Sequence, residues 1–230
     1  MSQQTWQRRI LLLLTGVFSL LLIGESLVSS TRWIGQPFPG FFVHENLTVG
    51  PYFLPGWTGP AAGIESLDRV LSVNGVTLVD RAQLYQLVHG QTLGTSLRYR
   101  VWRDAIAIDL NVRTMTFDLR DWALSFGVYI VIGLAFLVIG VAPYLFRAAS
   151  PVALPLCFMV LTVFIWFQAT FDFMTDALLP KEFRIFALTL TPSAAIHLAL
   201  MLSTGESLPS LRPLFVVVLY AVGLALGAIN

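Results

Sequence analysis

The chain has 230 residues, of which 56% are hydrophobic and only 12% charged, with a formal net charge of +1 and a mean hydropathy of +0.75. A soluble domain averages roughly 25% charged residues, so this composition points to a lipid bilayer as the principal partner. The charge balance offers no basic face for nucleic acid, and the single cysteine, Cys157, provides neither a disulfide framework nor a metal cluster.

In chain order, 1–30 reads as an N-terminal tail followed by a first transmembrane helix. The run 10–28 is apolar apart from Glu25 and small polar residues, about the 20 residues needed to cross a bilayer core. Arg8 and Arg9 precede it and no small-x-small cleavage site follows, which predicts a retained signal anchor with a cytoplasmic N-terminus. Glu25 is expected near the outer interface as a snorkelling carboxylate.

Residues 35–117 have the texture of a folded α+β domain. Val70 to Val73 is a strand signal followed by Asn74-Gly75, the pair best suited to a type I′ turn. Asp80 with Gln83 makes a capping-box-like start for a short helix whose Leu84, Leu87 and Val88 share one face, and Gly90 supplies the stop. Leu97, Tyr99 and Val101 then alternate with Arg98, Arg100 and Trp102. Ile106, Ile108, Leu110 and Val112 repeat the pattern after Arg103-Asp104, which predicts a hairpin of half-buried strands.

From residue 122 onward four apolar runs, 122–146, 151–171, 183–203 and 213–230, predict a bundle of four more helices. Lipid-exposed backbone must satisfy its polar groups internally, so no other local structure fits. Arg147 and Arg212 fall in expected cytoplasmic loops, whereas Lys181 and Arg184 fall in the outer linker 172–184, so Arg8 and Arg9 decide the orientation. The eight arginines between Arg32 and Arg120 do not overturn it, because long domains cross largely regardless of charge. A fifth span would end outside at Asn230, so the chain reads either as the N-terminal part of a longer protein, in which one more crossing leads to a cytoplasmic output domain, or as a complete five-span protein. Within 185–202 His197 is the only ionisable group, and it is expected to be a neutral imidazole hydrogen-bonded to Thr162 or Gln168 rather than a sensing group.

At 59–75 the sequence GPAAGIESLDRVLSVNG resembles bacterial PDZ domains, in which an Ala-Gly-hydrophobic turn leads to an acidic residue, a strand and an Asn-Gly turn. Leu67-Asp68 stands where that family usually has Gly-Asp. The fold class implied is an α-helical membrane bundle with an inserted small α+β PDZ-like domain. By this resemblance a peptide or protein C-terminus would add as a strand between segment 46–53 and the helix, with Phe41, Phe42, Leu47, Val49, Leu84 and Val88 lining the groove. The stretch Pro39, Gly40, Phe41, Phe42 takes the place of the carboxylate-binding loop. Val88 is expected near the rim.

The order of one helix, PDZ-like domain and multi-helix region also resembles the sensor region of bacterial membrane histidine kinases like the competence quorum-sensing kinase. The segment PFPGFFVHENLTV, Trp57, Gly63 and the Pro192 to Leu200 stretch with His197 carry the likeness. Leu202-Ser203 stands where many of that family have an aromatic-Pro pair.

Three separated histidines, His44, His89 and His197, and the absence of H-E-x-x-H, G-x-S-x-G or phosphate-loop motifs give no catalytic site, no metal site and no cofactor in these residues. The expected function is signal input at a bacterial inner membrane, with the domain outside. The alternative is a PDZ-bearing scaffold or quality-control component, or a homodimer in which the domain is the dimerising module. A transporter would call for paired intramembrane charges or broken helices.

Overall fold

A computed structural model describes residues 3–146, 150, 152–175, 181–204 and 212–229. Arg147 and the side chains of Arg8, Arg9, Lys181, Ser203 and Arg212 lie outside the described set. The chain divides into two compact units: Val28–Gly127 with Phe171–Leu178, and Met1–Leu27 with Val128–Thr170 and Leu179–Asn230.

The first of these units is α+β. It contains β1 (Pro37–Phe38), α2 (Thr58–Ala61), β2 (Arg69–Val73), β3 (Val76–Thr77), α3 (Arg81–His89), β4 (Ser96–Arg103), β5 (Ile106–Arg113), β6 (Met115–Thr116) and α4 (Leu119–Trp122). Its antiparallel sheet has the order β3-β2-β4-β5, and β1 pairs separately with β6. The Asn74-Gly75 turn has positive φ at both residues, 49° and 83°, as a type I′ hairpin requires. Along β4, Leu97, Tyr99 and Val101 are buried while Arg98, Arg100 and Trp102 face solvent, the period of two that packs one face of a sheet.

Helix α3 starts where its capping chemistry places it. The Asp80 carboxylate accepts from Gln83 N at 2.8 Å, and Gln83 Oε1 reaches back to Val79 N at 2.9 Å. The start of α4 is a full capping box, Asp118 accepting from Asp121 N and Asp121 from Asp118 N. Gly90 ends α3 with a right-handed φ of −75°, so it stops the helix without the left-handed turn that glycine commonly provides there.

This unit is wider than the 35–117 expected from sequence. Its core takes in Trp33, Phe126 and Phe171 as well as Phe38, Phe41, Phe42, Trp57 and Phe117. The aromatic rings meet edge to face, including Phe126 with Phe171 at 4.7 Å and Phe38 with Trp57 at 5.0 Å, a geometry favoured by the ring quadrupoles.

The other unit is helical: α1 (Gln3–Thr31, as far as Leu27), α5 (Val128–Phe146), α6 (Ala153–Gln168), α8 (Lys181–Thr204) and α9 (Arg212–Ile229). A short π-helical turn, Ala123–Gly127, joins α4 to α5, and a short helix α7 (Thr170–Met174) follows α6. Among the described residues, three stretches are long and apolar enough to cross a membrane: Leu12–Thr31, Leu119–Pro143 and Glu182–Leu202. The apolar helix α6 is shorter than the span expected at 151–171, whereas α9 has 18 residues, the length of the expected run 213–230. At 1.5 Å per residue the 16 residues of α6 reach about 24 Å against a hydrocarbon core of about 30 Å. Within the expected linker 172–184, residues 172–174 end α7 and residues 181–184 begin α8.

Small residues set the helix spacing in this unit. A Cβ on Gly140 would lie 2.5 Å from Val160 Cβ, and one on Gly227 2.5 Å from Phe186 Cδ1. Such close approach is the membrane-bundle substitute for a hydrophobic driving force. Hydroxyls add cross-helix bonds, Thr191 Oγ1 donating to Thr162 Oγ1 at 2.9 Å and Ser193 Oγ to Leu219 O at 3.0 Å.

Candidate functional site

The site suggested by the PDZ resemblance is the face between α3 and the chain around Phe42. The sequence-derived candidates all lie beneath that face. Phe41, Leu84, Val49 and Val88 are fully buried, and Phe42 and Leu47 nearly so. They form the floor of the domain and present no open lining. Val88 in particular is 0% exposed, which corrects its expected place at the rim.

Segment 46–53 is not the acceptor strand. Thr48 to Gly50 is an internal rung: His44 N donates to Thr48 O and Gly50 N to Phe42 O on one side, while Val49 N donates to Asp68 O and Leu67 N to Val49 O on the other. With both edges in use it cannot take an added strand. The outward edge belongs to 42–44, where Val43 N donates to Tyr85 Oη at 3.1 Å. Helix α3 is therefore bonded directly to the edge that a β-adding peptide would need.

The same hydroxyl donates to Met174 O at 3.1 Å. One turn earlier on α3, the Arg81 guanidinium donates to the carbonyls of Phe173 and, at 3.0 Å, Asp172. Three consecutive carbonyls at the end of α7 are thus held by two α3 side chains. The carboxy end of a helix presents its last carbonyls outward, and a cation at that negative end is favourably placed. Beside them Trp33 packs edge to face on Tyr85 at 4.7 Å, on His89 at 5.0 Å and on Phe171 at 5.7 Å. His44 meets the ring of Phe173 at 5.7 Å. The face is covered by the chain's own residues.

Sequence reading missed Trp33, Arg81, Tyr85 and Phe171. Trp33 lay between the first helix and the domain, Phe171 at the end of the apolar run 151–171, and Tyr85, three residues before Val88 and buried with it, was left out of the apolar set Leu84, Leu87, Val88. The one available signal was Tyr85 on a helix otherwise lined by aliphatic residues.

The region replacing the carboxylate loop is closed by backbone. Gly40 has φ of 79°, and a Cβ there would lie 2.5 Å from Gly59 N; a Cβ on Gly59 would lie 2.6 Å from Gly40 O. Two glycines let these backbones touch. Next to them, the turn leading to β2 is pinned by Arg103. Its Nε and Nη2 donate to the two Asp68 oxygens at 2.6 Å each, Nη2 also to Gly63 O, and Nη1 to Glu65 at 2.7 Å. Asp68 is buried and its hydrogen bonds hold the Arg103 pKa above the usual guanidinium range. Leu67, standing where the resembling domains have glycine, adopts φ of 72° with its side chain in solvent.

In the core, burial and then the neighbouring Tyr85 push the Tyr99 hydroxyl well above the ordinary phenol range. That hydroxyl has no hydrogen-bond partner among the described residues. In the helical unit His197 Nδ1 lies 3.3 Å from Tyr220 Oη. The expected partners are engaged elsewhere: Thr162 accepts from Thr191, and Gln168 Nε2 donates to Ile130 O at 3.4 Å.

No protein-family model and no curated protein matches the chain. Among solved structures it is similar to the serine endoprotease from Yersinia pestis, at 20% identity and a TM-score of 0.34 over 37% of this chain and 30% of that one. It is also similar to the HtrA-type protease AlgW with decapeptide, at 12% identity and a TM-score of 0.33 over 35% of this chain and 29% of that one. The chain thus spans less than a third of the length of these two proteases.

Proposed function

We propose that the chain is a signal-input module of a bacterial inner membrane, in which an extracytoplasmic PDZ-like unit recognises a peptide or protein and passes the event to the helices. The sensor region of membrane histidine kinases, suggested by the sequence, is the finer form of this reading. What supports it is the composition of one core. Trp33 lies two residues after α1, Phe126 two residues before α5 and Phe171 three residues after α6, and all three are buried in a single core cluster. A rearrangement of that cluster is therefore linked through a few covalent bonds to the ends of three helices. Packed cores switch between discrete arrangements rather than deforming continuously.

The test uses the full chain in nanodiscs with Cys157 replaced by serine and spin labels at Leu20 and Val131, both exposed positions on α1 and α5. Trimming the core by Phe126→Ala shifts the α1 to α5 distance by about 1–2 Å, the scale of helix shifts in switching proteins. An unchanged distance distribution in a folded variant removes the coupling.

A further inference from the structure

We infer that α7 is an internal ligand, and that the α3 face is built to accept the carboxy end of a short helical turn carrying aromatic side chains rather than an extended strand. This rests on reading the domain as a recognition module and names what its face takes. Three observations carry it. The edge at Val43 is occupied by Tyr85 Oη, so strand addition lacks its first donor. Arg81 and Tyr85 together hold the carbonyls of Asp172, Phe173 and Met174, the set that a helix end exposes and an extended strand does not, because a strand points alternate carbonyls to opposite sides. Phe171 and Phe173 flank this cap on Trp33 and His44, supplying aromatic anchors of the kind that dominate recognition surfaces.

An intramolecular ligand sits at high effective concentration. A partner presenting the same features gains access only as the segment leaves, and leaving frees the chain between α6 and α8. Recognition and release are then a single exchange.

The experiment uses the full chain in nanodiscs and the capped peptide acetyl-Thr-Phe-Asp-Phe-Met-Thr-amide, which copies 170–175. In an emptied variant, 172–175 is replaced by Gly-Ser-Gly-Ser while Phe171 stays in the core. The emptied variant is expected to bind the peptide at least about tenfold more tightly than the parent, and Arg81→Ala in that background to abolish the binding. Equal binding by parent and emptied variant overturns the inference, as does a folded emptied variant that binds nothing. Extended C-terminal peptides that bind the emptied variant where the copy does not would also overturn it, yet leave recognition in place; failure of both classes removes recognition as well. Should the emptied variant lose its near-ultraviolet dichroism, Arg81→Ala in the intact chain replaces it. Hydrogen exchange at the amides of 173–175 is then expected to rise about tenfold or more, and unchanged exchange overturns the inference.

Discussion

Leu67 and Tyr99 show how single residues carry cost inside an otherwise consistent fold. A leucine at φ of 72° places Cβ close to the carbonyl, at roughly 1–2 kcal/mol for an L-residue in the left-handed region. Glycine removes that strain and returns about 0.5–1 kcal/mol of it as unfolded-chain entropy. Leu67→Gly is therefore expected to stabilise the α+β unit by up to about 1 kcal/mol, seen as a higher Tm; a lower Tm would show that the exposed leucine makes a contact worth more than the strain. Tyr99 gives a pH dependence. Its hydroxyl is held protonated in the folded state, while in the unfolded chain it ionises near its ordinary value of 10. Above that pH the unfolded state binds fewer protons than the native one, so stability falls as pH rises. Tyr99→Phe is expected to flatten the decline in Tm between about pH 9.5 and 11, and a slope unchanged by the substitution would assign it to other groups.

Among the elements, the α5 and α6 pair is set by glycine. Gly140 leaves no room for a Cβ against Val160, the nearest atom being the Val160 Cβ itself rather than the end of a flexible side chain. Gly140→Leu must separate the helices and is expected to cost about 1–3 kcal/mol, the usual penalty for overpacking, measured as loss of thermal stability in detergent. An unaffected Tm would mean the two helices do not pack through this face. By contrast α3 and α7 are short elements whose pairing depends on end groups. The guanidinium and the phenol of α3 donate to the carbonyls of Asp172, Phe173 and Met174, which gives so brief a helix a defined place.

For the whole molecule, the proposed orientation rests on Arg8 and Arg9 flanking the first span on one side. With Cys157 replaced, cysteine at Gly90 is expected to react with a membrane-impermeant thiol reagent in intact cells and cysteine at Ser2 to remain unlabelled. The reverse pattern would invert the topology. Much of the fold is legible in the sequence wherever an element is specified by its own residues. The Asn74-Gly75 turn, the Asp80 cap and the alternation along Ser96–Arg103 each depend on neighbours a few positions away, and short-range periodicity reports them directly. The apolar helices follow from composition in the same way, although helix ends depend on context and α6 stops short of the expected span. Only the tertiary structure decides what covers the α3 face. Trp33, Tyr85 and Phe171 are far apart in the chain and meet because the aromatic core closes around them, and Val43 becomes an edge only because Thr48 to Gly50 is bonded on both sides. Edge availability and groove occupancy are relations between distant segments, set by packing and by hydrogen-bond satisfaction over the whole domain, and no local pattern encodes them.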